Sequence, residues 1–173
     1  FCFLKRHLLM ESGYYHINLG CFMKGNGLMQ QKYFSIIVVS LNPGIKVIKT
    51  IESILNQTLK DYEIIIKDGY STDDSIKELE KRGLLNESRV RLIQKKDHGI
   101  YDGMNQALKE VMGKYIYFLN CGDYLRDRNV LENIKNEIEK YQSLDKKYIF
   151  YGNQYNEMHY YDLPWPSELL EAM

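Results

Sequence analysis

Short runs of apolar residues alternate along this chain with segments whose apolar positions recur every three to four residues. Phe34-Ser35-Ile36-Ile37-Val38-Val39-Ser40 is the first run. It is β-branched and nearly uninterrupted, which suits a strand covered on both faces of a parallel sheet. Asn42-Pro43-Gly44 breaks it, and Val47, Ile48, Ile51, Ile54 and Leu55 then fall at helical spacing within residues 45–56. Residues 62–66 read as the second strand and 68–72 as the loop after it. Ser71 or Thr72 is placed to cap a helix that holds Asp73 and Asp74 in its first turn and runs to Lys81. Residues 90–93 form a third strand and 97–100 a loop. The spacing of Met104, Ala107, Leu108 and Val111 predicts a helix over 101–112, with Gly113 as its C-cap. Residues 115–119 form a fourth strand that leads into Asn120-Cys121-Gly122-Asp123. Val130, Ile134 and Ile138 mark a helix over 129–141, and 148–151 a fifth strand stopped by Gly152.

Strand and helix alternate throughout, which is the signature of a three-layer α/β/α fold with a mainly parallel sheet. Such sheets bind ligands at the carboxyl ends of their strands, where the strand order reverses. That directs attention to four loops: 40–44, 68–72, 97–100 and 120–123. Three of them carry an aspartate. The chain has no G-x-G-x-x-G after the first strand and no G-x-x-x-x-G-K-[ST], so a dinucleotide-binding or P-loop reading loses its main support.

Composition narrows the partners. With 173 residues the chain has room for one domain. The 23 Lys and Arg balance 23 Asp and Glu, which argues against a nucleic-acid footprint. The longest apolar runs are strand-length, far short of the roughly 20 residues of a membrane span. Three cysteines without C-x-x-C spacing point to a reducing compartment rather than a disulfide framework. Fifteen tyrosines fit a wet cleft, since each keeps a polar end. Residues 1–32 lack clean periodicity and read as a poorly ordered extension. Residues 33–173 read as the domain, with the pattern stopping at a helix start near Ser167 and the acceptor-side part left incomplete.

The stretches 34–44 (FSIIVVSLNPG), 50–68 (TIESILNQTLKDYEIIIKD), 68–75 (DGYSTDDS), 96–106 (KDHGIYDGMNQ) and 113–123 (GKYIYFLNCGD) together resemble the family-2 glycosyltransferases of the GT-A fold. Within them Ser53-x-x-x-Gln57-Thr58 is similar to the family's S-x-x-x-Q-T/S helix end. The last two blocks look like a bacterial branch that builds surface polysaccharides. The likeness covers about residues 33–152. It implies a Rossmann-like nucleotide-sugar-binding fold, a UDP-, GDP- or dTDP-sugar donor and a divalent cation, Mg²⁺ or Mn²⁺. It further implies inverting transfer to a hydroxyl of a glycan or lipid-linked acceptor. The place of action would be the cytoplasm or the inner face of the membrane.

The same resemblance assigns donor binding to Ser40, Asn42, Asp68, Asp97, Gly99, Asp102 and Asn105, and the metal to Asp123. The residue chemistry agrees: a diphosphate needs its charge neutralised, and a hard cation bridged by a carboxylate does that. Asp68 would accept from base or ribose, Gly99 would allow close backbone approach, and Asn105 would tie loops beside the donor. Read alone, Asp102 is a first-turn helix charge, His98 a loop residue near solvent, and Cys121 a small filler where relatives carry Ser. Three positions depart from the family pattern. Asn120 stands at the first place of the Asp-x-Asp motif, Leu41 replaces a Tyr that meets the base, and Lys67 precedes Asp68 where an acid is frequent. No catalytic base is identified; Glu157, Asp162 and Glu168 are available without a matching context. The competing reading is a non-catalytic nucleotide-sugar-binding module.

Overall fold

The computed structural model describes residues 32–140. The expected extension before Lys32, the fifth strand at 148–151 and the acids Glu157, Asp162 and Glu168 lie outside the described residues. The elements run β1 (Phe34–Ser40), α1 (Lys46–Leu55), β2 (Tyr62–Asp68), α2 (Ser75–Lys81), a 3-10 turn (Leu84–Asn86), β3 (Val90–Gln94), α3 (Ile100–Leu108), β4 (Tyr115–Phe118) and α4 (Val130–Glu139). The four strands form one sheet in the order β3-β2-β1-β4. Every pairing is parallel, with Phe34 opposite both Tyr62 and Tyr115, and Ile64 opposite Val90.

The strands' alternation assigns the layers. Phe34, Ile36 and Val38 join Ile64 and Ile66 on one face, under Val47, Ile48, Ile51 and Ile54 of α1, Leu79 of α2, and Leu131 and Ile138 of α4. On the other face Ile37 and Ile65 pack with Ala107 of α3. The sheet therefore lies between helices, as the alternation predicts. No side chain caps α1. Burial of its four large apolar residues, at about 1.5–3 kcal/mol each, far exceeds the ~1 kcal/mol of a cap, so the apolar stripe holds that helix in place.

Three local expectations need correction. Strand β2 runs on through Lys67 and Asp68, because both residues stay in register with Val39 and Ser40 of β1. Ser71 and Thr72 do not cap α2; the Asp73 carboxylate accepts the Ser75 N–H at 3.1 Å, while the Ser71 hydroxyl is turned to Asp68. Gly113 does not cap α3, which ends four residues earlier than expected, at Leu108 with Lys109 as its C-cap. The chain must instead pass close under β1. The Gly113 N–H donates to Ser35 Oγ at 2.8 Å, and the Met112 N–H to Glu63 Oε1 at 2.6 Å. Buried Glu63 also accepts from Ser35 Oγ (2.6 Å) and from Arg91 (3.0 Å), which fastens β1, β2 and β3 at the start of the sheet.

A Cβ at Gly113 would press into the backbone of Ser35 and lie 2.5 Å from the Phe34 carbonyl carbon. Backbone cannot step aside as a flexible side chain can. Gly113→Ala is expected to cost about 3 kcal/mol, the upper end of the range of about 1–3 kcal/mol for overpacked sites. A thermal melt checks this; an unchanged midpoint would contradict the close approach.

Candidate functional site

From β1 the chain moves outward through β2 to β3, then returns to the other side of β1 as β4. The order reverses between β1 and β4, and the loops leaving these two strands part there to make a crevice. All four candidate loops leave the carboxyl edge of the sheet.

The first two loops are knitted together. Asn42 has a left-handed backbone (φ 49°). Its N–H donates to Ser71 Oγ at 2.8 Å, and its side-chain oxygen accepts the Thr72 N–H at 2.7 Å. The Gly44 N–H donates to Asp73 Oδ2 at 2.8 Å, and the Gly69 N–H to the Ser40 carbonyl at 2.9 Å. Hydrogen bonds from the Ser75 hydroxyl, then from the Gly44 and Ser75 N–H groups, hold the Asp73 carboxyl below its usual range. Asp68 is fully buried at the centre. It accepts the Ser71 N–H (2.9 Å), the Ser71 hydroxyl (2.5 Å) and Gln94 Nε2 (3.3 Å), so its first task is to shape the loop. Ser40, at the end of β1, is buried and its hydroxyl has no hydrogen-bond partner among the described residues. Buried hydroxyls are rarely left so, and this one stands at the reversal point, where a ligand's oxygen or N–H would satisfy it.

The third loop is tied inward. Asp97 Oδ2 pairs with Lys67 Nζ at 2.7 Å, and Oδ1 accepts the Gly99 N–H at 3.2 Å. Gly99 has φ 123° and open space where a Cβ would project, so its backbone conformation, not crowding, demands glycine. Asp102 accepts the His98 N–H at 3.0 Å and Gln106 Nε2 at 3.0 Å, with His98 Nδ1 at 3.3 Å. These bonds, the His98 N–H foremost, stabilise the charged carboxylate and hold it below its usual titration range. Asp102 is thus a local cap at the start of α3. The Asn105 side chain is half-buried and hydrogen-bonds to no described residue. Its neighbour Gln106 ties α3 to the third loop by donating to the Lys96 carbonyl at 3.1 Å.

The fourth loop is held by α1. The Thr50 hydroxyl donates to the Asp123 carbonyl at 2.7 Å and accepts the Gly122 N–H at 2.9 Å. Ser53 Oγ accepts the Leu125 N–H at 3.1 Å. Gln57, also buried, donates to the Asp127 carbonyl at 2.6 Å and accepts the Leu131 N–H at 3.0 Å. Thr58 closes the set through a backbone bond to the Arg128 carbonyl at 2.8 Å. Three polar residues at helical spacing therefore grip the loop that carries Asp123, which is the physical content of the Ser53-x-x-x-Gln57-Thr58 pattern. Thr50 was missed in the sequence because it sits inside an apolar stripe. Lys67 was noted only as a departure, although a lone cation in an apolar strand signals a buried pair.

With its backbone so fixed, Asp123 presents a half-buried carboxylate that accepts no hydrogen bond from the described residues. Cys121 joins the edges of the crevice. Burial pushes its thiol up to about 11, and the charges of Lys46, Asp123, Asp68 and Asp73 all bear on it. These charges come from the start of α1, from the end of β2 with the loop after it, and from the fourth loop. An uncommitted carboxylate suits Mg²⁺ or Mn²⁺, which take oxygen ligands and keep sites for phosphate. Among the described residues no three of His, Cys, Asp and Glu converge to hold a metal unaided. A cation here would rest on Asp123 and on oxygens of the ligand itself. Also among the described residues, no helix is long and apolar enough to cross a membrane.

This geometry has counterparts. Residues 35–170 match the family described as "Glycosyl transferase family 2". The chain is 36% identical over 110 residues to the chondroitin synthase of Escherichia coli, covering 64% of this chain and 16% of that protein. It is 36% identical over 124 residues to the E. coli UDP-Glc:alpha-D-GlcNAc-diphosphoundecaprenol beta-1,3-glucosyltransferase WfaP, covering 71% and 46%. It thus spans less than half the length of either relative. Among solved structures, Staphylococcus aureus TarS 1–349 superposes with a TM-score of 0.57 at 24% identity, over 63% of this chain and 33% of that one. The Pyrobaculum calidifontis mannosyltransferase PcManGT, in complex with GDP-Man and Mn²⁺, gives 0.55 at 18%, over 60% and 31%. These likenesses carry the fold, which is the expected GT-A arrangement, and the sequence match takes in all four strand-end loops. The chain belongs to glycosyl transferase family 2.

Proposed function

We propose that this chain forms the donor-binding part of a glycosyltransferase that moves a sugar from a nucleoside diphosphate onto an acceptor hydroxyl with inversion. The observation that carries the reading is that the two strands on either side of the sheet's reversal point lead into an Asp123 carboxylate and a buried Ser40 hydroxyl, neither of them hydrogen-bonded to another described residue. Asp123 and a divalent cation would neutralise the diphosphate. Ser40, Asn42, Asp68, Asp97 and Gly99 would frame the nucleoside. Asp102 supports the third loop from the start of α3. An ionised carboxylate only accepts hydrogen bonds, so Asp97 suits a base edge that carries a ring N–H, as uracil, thymine and guanine do, whereas cytosine and adenine offer only an exocyclic amino group. Relatives named for UDP-Glc and structures titled with UDP-GlcNAc or GDP-Man support such donors. The WfaP relative, named for a diphosphoundecaprenol-linked acceptor, supports a glycan or lipid-linked acceptor, and we propose that the reaction runs at the cytoplasmic side of a membrane.

The test is a calorimetric titration with UDP, GDP, dTDP, CDP and ADP, each with and without Mn²⁺. At least one of the first three is expected to bind, more tightly with Mn²⁺. Asp68→Ala is expected to abolish binding under both conditions, because the two joined loops that bear Asn42 and Ser71 lose their centre. Failure of all three to bind would sink the proposal. Asn120 at the first position of the metal motif favours a second reading, a binding module without turnover. Donor cleavage by a chain that binds nucleotide would decide against it.

A further inference from the structure

Lys67 is a complete cation site for one ammonium, built into β2 on the face it shares with Ile65 and, nearer the strand's start, buried Glu63. Its side chain is fully buried. An ammonium carries three donors, and here each has one oxygen: Asp97 Oδ2 at 2.7 Å, the Lys95 carbonyl at 2.5 Å and the Asp68 carbonyl at 3.2 Å. The three acceptors sit at the end of β2, just past the end of β3, and in the loop before α3. Burying a charge is costly unless its partner geometry is good, so this arrangement holds the chain in one place rather than adding much net stability. The surroundings leave no slack. A Cβ at Gly69 would lie 3.0 Å from Asp97 Oδ2 and 3.3 Å from Leu41, and one at Gly103 3.3 Å from Asp97 Oδ2 and 2.7 Å from Val39. Two glycines therefore give the Asp97 carboxylate room to reach Lys67.

We infer that Lys67 is a positioning residue for the nucleoside end of the donor, acting through Asp97: it locks that carboxylate against the end of β2, beside Asp68 and Gly69. The inference rests on the nucleotide reading above. It does not involve Asp123, which is held by α1 through a separate set of bonds. Lys67 should therefore govern the metal-independent part of nucleotide affinity and leave the gain from Mn²⁺ alone.

The experiment is a double-mutant cycle on Lys67→Met and Asp97→Asn, with the Kd for the best-bound nucleoside diphosphate measured with and without Mn²⁺. Each single change is expected to weaken metal-free binding about 10- to 100-fold, as for a displaced hydrogen-bonding group at a polar site. Because Lys67 acts through Asp97, the double variant should bind as Asp97→Asn does, without a further loss. The ratio of affinities with and without Mn²⁺ should stay at its native value, a result that general unfolding would not produce. Lys67→Met leaves a buried carboxylate unpaired and can fail to fold, so Gly69→Ala serves as a second probe. It retains both charges, needs no unusual backbone, and pushes on Asp97 Oδ2; about 5- to 10-fold weaker binding at nearly native stability is expected. Full additivity in the cycle, or native affinity in Gly69→Ala, would overturn the inference while leaving the nucleotide reading intact. A native chain that binds no nucleoside diphosphate would overturn both.

Discussion

Asp123→Asn is expected to erase the Mn²⁺-dependent part of nucleotide affinity and to slow sugar transfer about 100-fold or more. The amide keeps the size and one oxygen of the carboxylate but loses the charge that a hard cation needs. Lewis-acid stabilisation of a departing diphosphate is worth several kcal/mol, and each 1.36 kcal/mol is a factor of ten. The fold should survive, because the loop is held through backbone atoms: Thr50 binds the carbonyl of Asp123, not its carboxylate. Metal-free affinity should therefore change little. Titrations with and without Mn²⁺, with a thermal melt as control, read both effects. A persistent Mn²⁺ gain in Asp123→Asn would remove this residue from the metal site.

The second large effect is expected far from any ligand. Gln57→Leu should destabilise the chain by about 3 kcal/mol and disorganise the Asp123 loop with it. Gln57 is almost fully buried, and its two polar atoms serve the Asp127 carbonyl and the Leu131 N–H at opposite ends of one loop. Leucine fills the volume but strands both backbone groups. Each stranded group costs about 1–3 kcal/mol, and this loss exceeds what the added apolar surface returns. Hydrogen exchange across residues 120–131 and a denaturant titration report the two consequences. Native protection of that loop in Gln57→Leu would show that the helix-end pattern does not fasten it.

The two predictions separate chemistry from scaffolding, and they depend on different kinds of information. Asp123 could be picked out from its place after an apolar strand and from the likeness of its loop to a family motif. Gln57 belonged to a recognisable motif too, but what it grips lies 70 or more residues further along the chain. The same holds for Asp102 and Asn105, which look alike as polar positions on one helix. Only the packed loop reveals that Asp102 accepts from His98 and Gln106, while the Asn105 side chain hydrogen-bonds to no described residue.

By itself the sequence determined the order of strands and helices and the three-layer class. It also placed the candidate chemistry in four strand-end loops. These are local properties, because β-branched runs, helical spacing and turn residues act over a few neighbours. The tertiary structure alone decided the strand order β3-β2-β1-β4, the departure of Gly113 from its expected role as a cap, and the use of Asp68 as the centre of a loop. It also decided that Lys67 and Asp97, 30 residues apart, share one buried ion pair. Those outcomes depend on which oxygen stands opposite which buried donor. A lysine in a strand shows that its charge must be met when buried, but only the folded chain brings the carboxylate that meets it.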